Sequence, residues 1–145
     1  MSPSLTISTR PDLDVAIRIL QEANLPTEDL TEAKVERFSF AGPASQPTGL
    51  VGLEIYGDVA LLRSLVVAPD RRGQGDGQTL LAHAEHQARS SGVRTLYLLT
   101  TTAETFFARQ GFVRVPRIDA PAAIRSTREF AGICPASSAF MGKAL

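Results

Sequence analysis

Leu65-Val66-Val67-Ala68-Pro69-Asp70-Arg71-Arg72-Gly73-Gln74-Gly75-Asp76-Gly77 is an apolar, β-branched strand that meets a proline and then a glycine-rich turn. Beyond it, residues 75–90 place Leu80, Leu81, Ala84 and Ala88 at helical spacing, so the turn stands at a helix N-terminus. A turn in that place leaves backbone N–H groups without intrahelical partners, and the helix dipole adds partial positive charge at the same point. It is a cradle for an anion. Glycine permits positive φ there and keeps side chains out of the path by which a phosphate approaches the backbone. Two other phosphate-binding signatures fail on the letters. A P-loop needs Lys-Ser/Thr after its last glycine, where Gln78-Thr79 stands, and Gly73, Gly75 and Gly77 are spaced G-x-G-x-G rather than G-x-G-x-x-G. The glycines alone also fit a plain structural turn.

Upstream, Gly49–Tyr56 and Val59–Val67 are two β-branched runs joined by Gly57-Asp58, the composition of a hairpin turn. Before them, Asp12 is placed to cap a helix with Leu13, Ala16, Ile17 and Leu20 on one face, stopped by Asn24 and Pro26. A short strand is expected at residues 5–8, a short helix at 27–33, an extended stretch at 35–40 and a polar surface loop at 41–48. Downstream, Gly92 closes the long helix, Thr95–Thr100 is a strand, and residues 105–110 form a short helix ended by Gly111. A strand at 112–117 follows, then a helix capped by Asp119 with Pro121 in its first turn and reaching Phe130, then a last strand at 136–143. A strand meander, then β-α-β, then α and β again predicts an α+β architecture: one sheet with both faces covered.

A chain of 145 residues fits one domain spanning 1–145, folding alone or as a small oligomer such as a homodimer. Fifteen basic residues balance fifteen acidic ones, so no global field draws the molecule to nucleic acid or to an anionic membrane, and any anion site is local. No apolar run approaches the roughly 20 residues that span a bilayer, and Met1-Ser2-Pro3-Ser4 lacks a secretory pattern, which predicts a cytoplasmic protein. Cys134 is the single cysteine, leaving no internal disulfide and no CxxC motif; before Pro135 it reads as a small buried apolar side chain.

Arg72-Gly73-Gln74-Gly75-Asp76-Gly77 resembles the Q/R-x-x-G-x-G/A hallmark of the GNAT N-acetyltransferases. Ala103-Glu104-Thr105-Phe106-Phe107-Ala108-Arg109-Gln110-Gly111-Phe112 resembles a second segment of that family, A-x-x-F-Y-x-x-x-G-F, at the family's separation from the first. The resemblance implies a mixed, mostly antiparallel central sheet flanked by helices on both faces. It also implies acetyl-CoA as cosubstrate, no metal, and acetyl transfer to the amine of a small molecule. By the same resemblance, Arg72, Gly73, Gln74, Gly75, Asp76 and Gly77 wrap the coenzyme A pyrophosphate through backbone amides. Leu65, Val66 and Val67 offer backbone hydrogen bonds to the pantetheine arm where the strand splays from its neighbour, and the N–H of Val66 or Val67 polarises the thioester. More narrowly, Tyr56-Gly57-Asp58-Val59-Ala60-Leu61-Leu62-Arg63-Ser64-Leu65, Tyr97-Leu98-Leu99-Thr100-Thr101-Thr102-Ala103-Glu104 and Arg128-Glu129-Phe130-Ala131-Gly132 are similar to GNAT proteins associated with arsenic resistance. That likeness implies an amino acid or an arsenic-containing analogue as acceptor.

Acetyl transfer from a thioester needs a neutral amine held against a polarised carbonyl, and positioning supplies much of the acceleration. An α-amino group with a pKa of about 8 is roughly a tenth neutral at pH 7, so modest proton transfer suffices. Glu54, among apolar strand residues, is the candidate general base, against the ordinary alternative of a solvent-facing carboxylate. Arg63 on the strand, and Arg125 and Arg128 on one face of the expected late helix, are candidates to receive an acceptor carboxylate. Asp76, where most relatives have an apolar residue, is expected to repel a bound diphosphate. Phe107 stands at the position of the family's tyrosine acid and has no proton to give, so it is an apolar wall with Phe106 and Phe112. Water, Thr100–Thr102 or Tyr97 remain as proton sources. His83 and His86 fall on the polar helix face rather than on a metal site. The rival from another class is a non-catalytic acyl-CoA-binding or ligand-sensing module that kept the cradle and lost the acid–base groups.

Overall fold

The computed structural model describes residues 5–145, and the reading of residues 1–4 lies outside them. Among these described residues, seven strands form one sheet in the order β1-β2-β3-β4-β5-β7-β6. They are β1 (Ile7–Thr9), β2 (Phe38–Ala41), β3 (Gly49–Tyr56), β4 (Val59–Val67), β5 (Thr95–Thr100), β6 (Val113–Arg114) and β7 (Ala139–Ala144). The helices are α1 (Leu13–Glu22), α2 (Glu32–Val35), α3 (Asp76–Ser90), α4 (Glu104–Arg109) and α5 (Ala122–Arg125). Every strand pair is antiparallel except β4–β5, which α3 links by a crossover. This is the expected α+β architecture, with a mostly antiparallel sheet covered on both faces.

Side chains alternate across β4. Leu62 packs with Leu80, Leu81, Ala84 and Ala88 of α3, whereas Leu61 packs on the opposite face with Ile124, Ala120 and Phe140. A third apolar cluster joins Ala16 and Leu20 of α1 to Phe38, Phe40 and Leu50. The α1 helix starts because the Asp12 carboxylate accepts the N–H groups of Asp14 and Val15, at 2.9 and 3.2 Å, satisfying two donors the helix cannot. The face opposite α3 thus carries two separate apolar patches, and a charged cluster occupies the space between them.

Two irregularities open the sheet where the site lies. The β4–β5 ladder pairs only Val59–Leu61 with Thr95–Tyr97; past that point the strands part, while β5 continues its ladder with β7. Against β3, Ser64 and Leu65 stand opposite the single residue Val51, a β-bulge on β4, and Ser64 takes φ 61°. A non-glycine residue in that region is uncommon, and bulges re-aim side chains beside sites.

Six expected boundaries shift, the last strand among them, which runs Ala139–Ala144 rather than 136–143. The first strand is Ile7–Thr9 rather than 5–8. The second helix begins at Glu32, where the Thr31 hydroxyl caps the Lys34 N–H at 3.2 Å, and the extended stretch after it is confined to Phe38–Ala41. The strand after Phe112 is cut to Val113–Arg114 ahead of Pro116, which has no N–H to give a ladder. The helix expected from Asp119 to Phe130 breaks into a single turn at Arg117–Asp119, α5, and a wide five-residue turn at Glu129–Ile133. The Thr127 hydroxyl explains the second break, donating to the Ile124 carbonyl at 2.7 Å and accepting the Phe130 N–H, in competition with the helix.

Candidate functional site

The parting of β4 from β5 opens a cavity of about 690 Å³, lined on both sides by the diverging strands, Leu62–Val67 and Leu98–Thr100. The glycine turn borders one end of it through Arg72 and Gly77. Gly75 holds φ 84° at the N-terminus of α3, where no side chain caps the free amides. A Cβ on Gly73 would meet nothing within 4 Å, and one on Gly75 only the Gln78 Oε1 at 3.9 Å, so the cradle faces open space. Gly77 lies under the Phe106 ring, 3.5 Å from where a Cβ would stand. Arg72 lies at this end, its Nε donating to the Val67 carbonyl at 3.3 Å. The wall behind is Phe107, buried and edge-on to Phe106 and Phe112 with ring centres 5.1 and 5.6 Å apart. Asp76 does not stand in the cradle as a lone charge: it is buried and takes a two-pronged pair from Arg71, at 2.8 and 3.1 Å. That pairing raises the Arg71 guanidinium's affinity for its proton.

Away from the glycine turn, Arg63 is the second residue past the last β4–β5 pair, and its side chain is wholly buried. One terminal nitrogen donates to Asp29 Oδ2 at 2.5 Å and Glu54 Oε2 at 2.7 Å; the other donates to Asp29 Oδ1 at 2.9 Å and the Pro26 carbonyl at 3.4 Å. Its Nε donates to Ser64 Oγ and lies 3.2 Å from Glu129 Oε1. A guanidinium has five N–H groups, and all five are engaged. The expectation that Arg63 receives an acceptor carboxylate therefore fails in this geometry, because three protein carboxylates already hold it. Burial disfavours its charge, but the Asp29 and Glu129 carboxylates reverse that and raise its pKa further. For Asp29, burial pushes upward, yet hydrogen bonds from Arg63 and Lys34 outweigh it and hold the carboxyl at about 2.

Glu54 is buried and is not part of the cavity wall. Its two oxygens are taken by the Tyr56 hydroxyl at 2.5 Å and by Arg63. Burial and the Glu54 carboxylate together raise the Tyr56 pKa. Glu54 as general base thus meets a geometric objection, since it is locked in the network behind the wall. Glu129 does line the cavity, 4% exposed, and burial pushes its carboxyl up to about 7, more than Arg63 pulls it down. Burial and the nearby Glu129 carboxylate push the Cys134 thiol up to about 12, so it stays protonated. Ser138 also lines the cavity, and its buried hydroxyl has no partner among the described residues.

Arg125 and Arg128 do not reach the cavity. The break after α5 separates them, Arg125 donates to the Ile118 and Ala120 carbonyls, and Arg128 is exposed outside the lining. His83 meets the Ser39 hydroxyl at 3.2 Å, and burial together with the neighbouring His86 lowers its pKa. Among the described residues no cluster of three metal-ligating side chains occurs, and no helix is long and apolar enough to cross a membrane. Asp29, Glu129 and Ser138 escaped the sequence reading. The signal for the first two was Arg63 itself: an arginine in an apolar strand needs buried carboxylates, though nothing in the letters says which.

A parallel strand pair that splays above a glycine turn at a helix N-terminus defines the GNAT class of acyltransferase fold. Residues 36–114 match the family described as acetyltransferase (GNAT) domain, and the chain belongs to that family. It is 44% identical over 63 residues to the amino-acid acetyltransferase of Ralstonia nicotianae, a match covering 43% of this chain and 14% of that protein. It is 29% identical over 115 residues to the amino-acid acetyltransferase of Vibrio vulnificus, covering 76% of this chain and 26% of the relative. The chain thus spans well under half the length of the curated relatives it matches. Among solved structures, the N-acetylglutamate synthase of Neisseria gonorrhoeae, complexed with coenzyme A and N-acetyl-glutamate, superposes with a TM-score of 0.82 at 22% identity, over 100% of this chain and 36% of that one. Rv2747 of Mycobacterium tuberculosis, solved with CoA, gives 0.74 at 20% identity over 97% and 99%. These likenesses establish the fold. The narrower resemblance to arsenic-resistance proteins gains no support from these relatives.

Proposed function

We propose that this chain is an acetyl-CoA-dependent N-acetyltransferase acting on the amine of a small molecule, with α-amino acids as the acceptor class. The observation that carries the reading is the continuous cavity, which joins the uncapped N-terminus of α3 to the carboxylate-lined acceptor end along the open edge of β4. Coenzyme A fits the residues present: the turn is open at Gly73 and Gly75, so the amides after Arg72, through Gly77, suit a pyrophosphate with the Arg72 side chain beside them, and Leu65, Val66 and Val67 offer a strand edge not paired to β5 to the pantetheine arm. Phe107 walls the coenzyme end, and Val66 or Val67 supplies an N–H toward the thioester oxygen. The acceptor enters from the side of Asn24, Pro26 and Glu28. Relatives named amino-acid acetyltransferase favour an amino acid. With Arg63 engaged, the polar groups left for its carboxylate are hydroxyls of Thr100, Thr101, Thr102 and Ser138 and the Asn24 amide.

The deciding experiment measures release of free coenzyme A thiol across a panel that pairs each amino acid with its decarboxylated amine and includes an arsenic-containing amino-acid analogue. Turnover of amino acids in preference to the paired amines supports the reading. Tight acetyl-CoA binding without turnover on the whole panel establishes the sensing module instead. Equal rates within each pair show that the acceptor carboxylate is not recognised. Light scattering on the same preparation decides the expected homodimer.

A further inference from the structure

We propose that Glu129 is the general base, taking the proton from the acceptor's ammonium as that group enters the cavity; the proposal rests on the acetyltransferase reading of the same site. Five ionisable side chains line the cavity among the described residues: Glu28, Arg63, Arg72, Glu129 and Cys134. Glu28 is exposed at the rim, both arginines are permanently charged, and the Cys134 thiol holds its proton throughout the neutral range. Glu129 alone is a buried acceptor of protons, and it titrates near the working pH.

Its position fits the role. Glu129 Oε1 is 3.2 Å from the Arg63 Nε, and Arg63 lies just past the point where β4 leaves β5, beside the apex of the coenzyme slot. The carboxylate sits on the wide turn Glu129–Ile133, where the Cys134 N–H reaches back five residues to the Glu129 carbonyl at 3.2 Å. The charges around it also single it out. Facing it are Arg63 from β4, Asp29 from the segment before α2, Glu54 from β3 and the Cys134 thiol, with Lys34 of α2 2.7 Å from Asp29. Arg63 and Lys34 balance Asp29 and Glu54, so an ionised Glu129 is the one uncompensated negative charge in the group. An entering ammonium would neutralise it.

The proton count closes. The ammonium gives one proton to Glu129 and becomes a neutral amine. The amine nitrogen attacks the thioester carbonyl, the C–N bond forms, and the C–S bond breaks. The second proton on nitrogen passes to the departing thiolate, giving the amide and free coenzyme A thiol, and Glu129 returns its proton to solvent. No oxidant or metal is needed.

The test compares Glu129→Gln with the parent chain, using thiol release from pH 5.5 to 9.5 with the best amino acid of the panel, alongside calorimetric titration with acetyl-CoA. The expected result is a fall in kcat of about 10²-fold at pH 7 with acetyl-CoA affinity within about twofold. The parent's activity should rise through a limb near pH 7, and the variant should instead climb steadily with the neutral fraction of the amine. An acceptor amine of low pKa, already neutral at pH 7, should recover most of the lost rate. If the variant keeps both rate and limb, Glu129 is not the base, although the acetyltransferase reading survives. If the parent turns over no amine, both fall together.

Discussion

Replacing Glu129 by glutamine should make the protein more stable at pH 8 while leaving it unchanged near pH 4.5, a pattern no ordinary core substitution produces. The carboxyl titrates at about 7 in the folded chain against a normal 4.5. At 1.36 kcal/mol for each pH unit, that difference amounts to about 3 kcal/mol. Because the folded-state pKa of this acid is raised, the folded chain binds more protons than the unfolded one between 4.5 and 7, and stability falls as pH rises through that window. Below it the group contributes nothing; above it the full penalty applies. Glutamine keeps the shape without the charge and should abolish the slope. Urea unfolding at pH 4.5, 6 and 8 reads the effect directly. His83, its pKa lowered by burial, is common to both proteins and cancels in the difference. Asp29, held at about 2, loses its contribution only below 3.8, outside the window. The variant should exceed the parent by about 3 kcal/mol at pH 8, a large share of the roughly 5–15 kcal/mol that holds a domain together. Parallel stability curves for the two proteins would refute the raised carboxyl, and with it the physical basis for a base at this position.

Arg63→Met leaves buried carboxylates without their cation and should cost about 3–5 kcal/mol, less at pH 5 than at pH 8 because Glu129 is protonated at the lower pH; denaturant unfolding showing under about 1 kcal/mol at both would refute the network. Gly75→Val forces a β-branched residue into φ 84°, a strain of about 1–2 kcal/mol that the fold survives, and should cut acetyl-CoA affinity at least about tenfold. Unchanged affinity in a folded variant overturns the cradle. Asp76→Leu removes a carboxylate and frees the Arg71 guanidinium, so acetyl-CoA should bind more tightly, chiefly at low salt; titration showing weaker binding would mean the pair serves mainly to shape the turn. Phe107→Leu loses two edge-on ring contacts, each worth about 0.5–1.5 kcal/mol, and should retain much of its turnover; a collapse of kcat in a folded variant would show the ring is more than a wall.

What the sequence revealed was local in origin. The Gly57-Asp58 hairpin, the Asp12 cap and the α3 face each depend on residues a few positions apart, where period and turn chemistry decide the outcome, and their expected bounds match or fall within a residue. The glycine turn was legible for the same reason. The acceptor end was not, because Arg63 meets Glu54 and Asp29 from 9 and 34 residues away, and only the sheet's order makes those separations contacts. Glu54 was singled out as a carboxylate in an apolar strand, which was sound as far as burial; the missing fact was that a buried arginine had already claimed it. The late helix failed on a side-chain effect, with Thr127 competing for backbone groups. That break releases the segment carrying Glu129 into a wide turn over the cavity.

Arg63 also explains why the two ends of the site act as one. Its guanidinium ties β4 to β3 through Glu54, to the segment before α2 through Asp29 and Pro26, and to the wide turn through Glu129. The next residue, Ser64, begins the bulge at which β4 turns toward the coenzyme. A shift of the strand would therefore move the fork, and with it the distance between the fork and the Glu129 carboxylate. At 3.2 Å the cation restrains the rise that burial imposes, and a larger separation would let the carboxyl climb further. The proton affinity of the proposed base is thus set by the backbone that also frames the thioester slot. Buried ion pairs are weak sources of net stability, but this one joins four segments of the chain at a single guanidinium. Here that arrangement holds an otherwise costly carboxylate at the cavity wall, where the proposed transfer needs a base.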